Sequence, residues 1–188
     1  PASYPVSTGN SKSRLQGSTR SEARSSPIIE RQRREKPVRE IMILRHAKSS
    51  WKHAGKTDHD RPLNERGERD APRMGRWIRG NELVPDRILC SDAVRARQTL
   101  EFVCSAGDWS SEVSYVPQLY LAEPSAYVEL LATLPSDVQR AMVIGHNPGL
   151  EELVLALSGT SIFMSTACFV HIELPLEDWA GLSLKTRG

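Results

Sequence analysis

From residue 40 onward, short apolar runs alternate with amphipathic segments, and this alternation is the strongest constraint on the fold. The apolar runs predict strands at 40–45, 87–90, 113–116, 140–144 and 167–174. The amphipathic segments predict helices at 65–79, 93–105, 125–134 and 149–158. Strands that alternate with helices build a mostly parallel sheet covered by helices on both faces. We therefore expect an α/β fold, a three-layer α/β/α sandwich around a mostly parallel central sheet.

Two residues are predicted to start helices. Asn64 directly precedes the helix at 65–79 and can accept a hydrogen bond from its first turn. Pro148 suits a first-turn position of the helix at 149–158, because its missing N–H is not needed there. The free backbone N–H groups at the start of that second helix would face an anion favourably.

The charges divide the chain into two parts. Residues 1–39 carry nine Lys or Arg against three Glu, whereas the rest carries 16 basic and 20 acidic residues. Residues 1–38 are rich in Ser, Arg, Gly and Pro and show no apolar period, so we expect a disordered basic tail followed by one domain over 39–188. Because the domain is mildly acidic, no specific nucleic-acid partner is expected.

The location of the protein is constrained by its cysteines and by its apolar segments. Three cysteines in apolar stretches (Cys90, Cys104 and Cys168) are expected to be buried, reduced thiols, which favours the cytoplasm. A Ser- and Arg-rich start also suits an organelle transit peptide, which is the alternative location. No apolar run approaches the roughly 20 residues that span a bilayer, so no membrane span is expected.

Four polar side chains stand at or just after predicted strand ends. Arg45 and His46 follow the first strand, Arg95 follows the second, and His146 follows the fourth. Parallel strands bring their carboxyl ends to one edge of the sheet, where ligands of open α/β folds bind. Arginine binds phosphate oxygens bidentately, and a neutral imidazole can attack phosphorus. The set predicts a phosphate-handling site without metal or cofactor.

Five ordered segments resemble the SixA-type phosphohistidine phosphatases, a compact branch of the histidine phosphatase (phosphoglycerate mutase-like) superfamily. They are LRHAKSSW (44–51), DHDRPLNERG (58–67), LCSDAVRARQT (89–99), LYLAEP (119–124) and VIGHNPGLEEL (143–153). The resemblance covers about residues 40–180. It implies a phosphoglycerate mutase-like fold and a metal-independent phosphatase that passes through a covalent phosphohistidine.

The resemblance also implies roles at matching positions. His46 matches the nucleophile, Arg45 its partner on the phosphoryl group, Arg95 the second phosphate arginine and His146 the second active-site histidine. Arg61 matches a further arginine near the pocket. The alternative role for Arg61 is an ion pair with Asp58 or Asp60 within the loop.

The general acid stays open among Glu123, Asp60, His146 and none. Many members of the superfamily use a carboxylate in the loop that Glu123 matches, but some SixA-type relatives lack one there. Glu123 can equally serve to start the helix after Pro124, stabilised by the helix dipole. An imidazole leaves phosphorus far more readily than an alkoxide does, so a phosphohistidine phosphatase can tolerate a weaker acid.

The expected partner is a phosphorylated protein or a small phosphorylated substrate, and the oligomeric state is open. The alternatives are a phosphomonoesterase acting on small metabolites and a non-catalytic phosphate-binding module tethered by its basic tail. A mutase is disfavoured because about 145 residues leave little room for the insertions that would retain a diphosphorylated intermediate. A metal held by His53 with Asp58, His59 and Asp60 is a further alternative, although such a polar loop needs no metal.

Overall fold

A five-stranded sheet forms the centre of the fold in the computed structural model, which describes residues 37–52 and 55–188. The strands are β1 (Arg39–Arg45), β2 (Arg87–Ser91), β3 (Glu112–Val116), β4 (Arg140–Gly145) and β5 (Phe169–Leu174). The helices are α1 (Glu65–Gly80), α2 (Val94–Gly107), α3 (Pro124–Leu131) and α4 (Gly149–Ser158). Two short 3-10 helices lie at Pro117–Leu119 and Trp179–Gly181. The tail prediction for 1–38 lies outside the described residues, apart from its last two positions.

The strand order is β3-β2-β4-β1-β5, and only the β1–β5 pairing is antiparallel. The expected mostly parallel sheet is therefore confirmed. The two central strands, β1 and β4, end together, since Arg45 pairs with Gly145 at the last position of their register. The residues that follow β1 and β4 thus leave the sheet side by side.

Both faces of the sheet are buried. Along β1, Ile41 and Ile43 join the core cluster that contains the apolar faces of α3 and α4. The alternating residues Met42 and Leu44 join the opposite cluster with α1 and α2. Successive side chains of a strand point to opposite faces, so a strand buried on both sides reads as a continuous apolar run. The three-layer α/β/α arrangement is confirmed.

Element ends differ from the sequence prediction by at most three residues. Helix α3 ends at Leu131 rather than 134, because the chain tightens into a turn in which the Leu134 N–H bonds to the Leu131 carbonyl. Strand β5 starts at Phe169 rather than 167, because Ala167 has a φ of 60° and directs its N–H to the carbonyls of Arg45 and His46.

The two helix starts gave different outcomes. Asn64 caps α1 as predicted, with its side-chain oxygen accepting the Gly67 N–H at 3.0 Å. The first-turn assignment of Pro148 was wrong by one position. Helix α4 begins at Gly149, and Pro148 is the capping residue just ahead of it, already in a helical conformation.

The cysteine prediction holds in part. All three thiols are free, but only Cys90 is fully buried, whereas Cys104 and Cys168 lie at intermediate depth. Burial raises the pKa of all three thiols. Among the described residues, no helix is both long and apolar enough to cross a membrane.

Candidate active site

The four side chains predicted at strand ends converge at one edge of the sheet. Arg45 is the last residue of β1 and His46 follows it, while His146 follows β4. Arg95 stands in the first turn of α2, just after β2. The rings of His46 and His146 lie 5.0 Å apart between centroids, because the His46 N–H bonds to the Gly145 carbonyl and holds the two strand ends together.

The hydrogen bonds of His46 define which ring nitrogen is free to react. Nδ1 lies 2.8 Å from the Ala47 carbonyl oxygen. Because a carbonyl oxygen only accepts, Nδ1 carries the proton and Nε2 keeps its lone pair in the neutral ring. The pKa of His46 is lowered to about 4, mainly by burial and also by the charges of Arg95, Arg45 and Arg61, while the Ala47 bond opposes the shift. His46 is therefore neutral at physiological pH with Nε2 available as a nucleophile.

Arg95 connects the two histidines and is almost completely buried, with 2% of its surface exposed. Its Nε donates to His46 Nε2 at 3.3 Å, and its Nη2 donates to His146 Nδ1 at 3.2 Å. Its Nη1 donates to the backbone carbonyl of Asp58 at 2.6 Å. The Nε edge of the guanidinium group thus faces the reactive nitrogen of His46.

The second histidine is held in the opposite tautomer. A guanidinium group only donates, so the contact with Arg95 requires an unprotonated His146 Nδ1. The proton is then on Nε2, which donates to the Ser91 hydroxyl oxygen at 2.8 Å. Burial, followed by the neighbouring His46 and Arg95, lowers the pKa of His146 to about 3. Both rings are therefore neutral without a bound anion.

Arg45 is anchored through one edge of its guanidinium group. Its Nη1 donates to the Met164 carbonyl at 2.6 Å, and Met164 is itself held by a bond from its N–H to Glu151. The Arg45 Nε is buried and has no hydrogen-bond partner among the described residues. A buried donor without a partner is costly, and an anion oxygen at this position would satisfy it.

Arg61 fits both alternatives that the sequence left open, an arginine near the pocket and a loop ion pair. It forms the ion pair with Asp58, since Nε donates to Asp58 Oδ1 at 2.9 Å, and it is also buried, with Nη1 donating to the Ser49 hydroxyl at 2.7 Å. The exposed Trp51 ring lies 3.5 Å from the Arg61 guanidinium carbon and covers it. Arg61 therefore adds a third cation to the site, close enough to lower the pKa of His46.

Neither of the two predicted carboxylates bonds to a histidine or arginine of the site in the described part of the chain. Glu123 is the capping residue of α3, with an exposed side chain that makes no capping bond. Asp60 is exposed and accepts from the Thr57 hydroxyl at 2.7 Å. The carboxylate that does reach the described part of the site is Asp58, which accepts from Arg61, from Arg95 and from the Tyr120 hydroxyl.

Sequence reasoning missed several residues that support the site. Asp58 was considered as an ion-pair partner and as a metal ligand but not as a support for Arg95, and Tyr120 and Ser91 were not singled out. Thr99 was also missed, although its hydroxyl joins the loop to α2 by accepting the Ala47 N–H and donating to the Arg95 carbonyl. The three-residue spacing of Asp58 and Arg61 was the available signal for one of them. The others depend on loop paths that no sequence pattern specifies.

The arrangement suits an anion and not a cation. Two buried arginines, Arg61 and Arg95, and the half-buried Arg45 surround two neutral imidazoles, and such a set stabilises the charge that spreads over the oxygens of a transferring phosphoryl group. Among the described residues, no group of three or more His, Cys, Asp and Glu side chains is placed to hold a metal ion. His53, which the metal alternative required, lies outside the described residues.

The family model of the histidine phosphatase superfamily (branch 1) matches residues 41–120. The phosphohistidine phosphatase SixA of Escherichia coli is 30% identical over 122 residues, which are 63% of this chain and 73% of that protein. An uncharacterized chloroplastic protein of Arabidopsis thaliana is 35% identical over 150 residues, 75% of this chain and 69% of that protein.

A solved structure agrees with these matches. The crystal structure of a candidate phosphohistidine phosphatase SixA from Agrobacterium tumefaciens superposes with a TM-score of 0.65 at 31% sequence identity. The superposition covers 72% of this chain and 90% of that one. The expected phosphoglycerate mutase-like fold and the resemblance to SixA-type proteins are both confirmed.

Proposed function

This chain belongs to the histidine phosphatase superfamily, whose model and phosphatase relatives support phosphatase activity, and we propose that it hydrolyses protein phosphohistidine without a metal. The observation that carries the proposal is the state of His46. Its Nδ1 is tied to a carbonyl, so its unprotonated Nε2 faces the most buried of three arginines. This state favours a role for His46 as a nucleophile that attacks phosphorus, rather than as a metal ligand or a surface histidine.

The proposed reaction has two steps. In the first, His46 Nε2 attacks the phosphorus atom, the P–N bond to the substrate histidine breaks, and the departing imidazole takes a proton from solvent or from a protonated His146. In the second, water attacks phospho-His46, its P–N bond breaks, and inorganic phosphate leaves with the neutral ring restored. Arg45, Arg61 and Arg95 would bind the phosphoryl oxygens and offset their charge in both steps.

His146 is proposed to respond to the phosphoryl group. Without an anion its Nδ1 is unprotonated and its pKa is about 3, mainly because of burial. A phosphoryl dianion beside the ring would favour the protonated form, since an opposite charge offsets the cost of burial. The protonated ring can then donate from Nδ1 to a phosphoryl oxygen or towards the leaving group.

The lack of a suitable general acid among Glu123, Asp60 and Asp58 supports phosphohistidine as the substrate. Glu123 and Asp60 are exposed, and the bond from Tyr120 with the charges of Arg95 and Arg61 lowers the pKa of Asp58 to about 2. An imidazole leaves phosphorus readily, whereas an alkoxide needs a strong acid to protonate it. Phosphohistidine therefore fits this site better than alkyl phosphates, and a phosphomonoesterase with aryl-type substrates is the second candidate. A non-catalytic phosphate-binding module would not need a prepared nucleophile.

We also propose that the phosphatase domain spans residues 39–188 and acts in the cytoplasm. The chloroplastic relative from Arabidopsis thaliana favours an organelle as the alternative location. Expression of the full chain fused to a fluorescent protein distinguishes the two by microscopy.

The test of the proposal is to trap the covalent intermediate. The protein is incubated with a phosphohistidine-labelled protein, quenched in alkali, and examined for label that survives base and is lost in acid. We expect the wild type to carry this label and His46→Ala to carry none, with turnover reduced by about 10⁴-fold or more because the nucleophile is gone. A chelator such as EDTA should leave turnover unchanged.

His171→Gln is the matched control, since His171 lies on β5 and bonds to Glu40 away from the pocket. It should retain both the label and the turnover. Full turnover in His46→Ala would rule out His46 as the nucleophile. Faster turnover of aryl phosphates than of phosphohistidine would reverse the order of the two candidate substrates.

A further inference from the structure

We propose that Asp58 is a positioning residue that aims Arg95 at His46 and competes with phosphate for Arg61 and Arg95. The proposal deepens the proposed function and rests on it for the role of Arg95 in turnover. Its other half, the competition with phosphate, concerns only the binding of an anion and can be tested without turnover.

The contacts of Asp58 place it between the two arginines. Oδ1 accepts from Arg61 Nε and lies 2.9 Å from Arg61 Nη2. Oδ2 accepts from Arg95 Nη2 at 3.0 Å and from the Tyr120 hydroxyl at 2.6 Å. The backbone carbonyl of the same residue accepts from Arg95 Nη1 at 2.6 Å. One residue therefore determines the orientation of the guanidinium group whose Nε meets His46.

The carboxylate is the accessible member of this group. The Asp58 side chain is 40% exposed, against 11% for Arg61 and 2% for Arg95. The bond from Tyr120 and the charges of the two arginines keep its pKa low, so it is ionised at physiological pH. Carboxylate and phosphate oxygens use the same donor edges of a guanidinium group. An incoming phosphoryl group must therefore share these donors with Asp58 or displace it from them.

This competition would speed the release of inorganic phosphate, the product. Three arginines without a nearby carboxylate would bind inorganic phosphate tightly, and the product would leave slowly. A carboxylate that returns to Arg61 and Arg95 favours release of phosphate after phospho-His46 is hydrolysed. The same contacts keep Arg95 aligned between turnovers, so Asp58 weakens anion binding while it supports the chemical step.

The test is Asp58→Asn, which keeps the shape and the backbone carbonyl but removes the charge. Calorimetric titration with inorganic phosphate and with tungstate should show binding about tenfold tighter than in the wild type, because one repelling charge has gone. The kcat should fall by roughly ten- to a hundredfold, because the amide offers one acceptor oxygen where the carboxylate offered two, and the guanidinium groups lose part of their alignment. Tighter binding with slower turnover is a combination that damaged folding does not produce.

The control for the change of charge is Asp137→Asn. Asp137 is exposed just before β4, at the opposite end of that strand from His146, and should leave both quantities unchanged. Thermal unfolding checks that each variant folds. If Asp58→Asn does not fold, Asp58→Ala provides the same binding comparison.

Two results would overturn the proposal. Weaker or unchanged phosphate binding in the variant would exclude competition by Asp58. A kcat that falls far more for a phenyl phosphate than for p-nitrophenyl phosphate would make Asp58 a proton donor instead, since only the poorer leaving group needs protonation. If the proposed function itself fails, neither wild type nor variant turns over phosphohistidine, and the binding comparison still decides the competition.

Discussion

At the residue scale, the site depends on keeping two adjacent histidines uncharged. His46 and His146 have 7% and 1% of their surface exposed and are surrounded by arginines. Burial and like charge both disfavour an imidazolium, so each works against protonation. Their tautomers are complementary, with Nδ1 protonated in His46 and Nε2 protonated in His146. The result is two unprotonated nitrogens that both face Arg95.

These protonation states predict a distinctive titration by NMR. The ring C–H signals of His46 and His146 should not shift between pH 8 and pH 5.5, since their pKa values lie near 4 and 3. His59 should titrate above its ordinary value, because its bond to Asp92, together with a weaker one to Asp60, raises its pKa. His59 thus serves as an internal control for the pH scale.

Assignment of the signals uses His46→Gln and His146→Gln, each of which removes the ring C–H signals of one histidine. A His46 midpoint at or above 6.5 would contradict the neutral nucleophile. Saturation with tungstate should raise the midpoint of His146, because an anion beside the ring favours the imidazolium. No change on tungstate binding would argue against the proposed response of His146 to a phosphoryl group.

The residues that follow strands could be predicted from sequence, and those that lie in loops could not. Arg45, His46 and His146 end adjacent parallel strands, so strand topology alone brings them together. Arg95 needed one further inference, that α2 begins beside the same edge. Tyr120 reaches Asp58 across 62 residues through a 3-10 helix and a turn. Sequence periodicity carries no information about such a path.

At the element scale, α1 and α2 approach each other unusually closely. A methyl group at Gly75 of α1 would overlap the carbonyl oxygen of Val103 in α2. Helix α2 presents Arg95 from its first turn, and Asn64 at the start of α1 donates weakly to the Ser49 carbonyl in the loop beside the site. The spacing of this helix pair therefore helps to determine where Arg95 lies.

Two alanine substitutions in the same helix should have opposite effects. Gly75→Ala should lower the free energy of unfolding by about 1–3 kcal/mol, because the added methyl forces α1 and α2 apart. Gly80→Ala, at the end of α1, has open space around the added methyl and should raise it by up to about 1 kcal/mol through helix propensity. Urea unfolding measures both. Equal effects in the two variants would contradict the close approach.

The positions of helices and strands were predictable where the apolar period was strong, as in α4, whose predicted bounds of 149–158 match the structure. Their ends were less predictable where a turn depends on contacts elsewhere. Ala167 shortens β5 because its N–H is used by the carbonyls that follow β1, a tertiary contact between distant parts of the chain. The close contact at Gly75 was equally invisible, since glycine in a helix has several explanations.

At the scale of the whole molecule, the site is built into a sheet that is buried on both faces. Its central strands β1 and β4 end at the histidines, and the helices of both layers pack against those strands. The nearly complete burial of His46 and His146 is thus a consequence of the architecture. Stability and site chemistry are therefore linked, because any condition that protonates these rings opposes folding.

This linkage predicts a loss of stability at mildly acidic pH. The unfolded chain protonates His46 near its ordinary pKa of 6.5, whereas the folded protein does so near 4. Between these values the unfolded state binds more protons, so the free energy of unfolding falls as the pH falls. From pH 6 to pH 5 we expect His46 to contribute a loss of about 1 kcal/mol. His146 adds a loss of the same sign, whereas His59, whose pKa is raised, opposes it.

Comparison with His46→Gln measures the contribution of that ring, including its effect on the pKa of His146. Urea unfolding of both proteins at pH 7, 6, 5.5 and 5 gives two curves of stability against pH. The variant's curve should be flatter by about 1 kcal/mol for each pH unit below 6, while the contributions of His59 and the distant carboxylates cancel in the difference. Parallel curves would mean that His46 titrates alike in the folded and unfolded chain. That result would contradict the lowered pKa of His46 in the folded protein. It would therefore contradict the proposal that His46 is a neutral nucleophile, whatever the activity measurements showed.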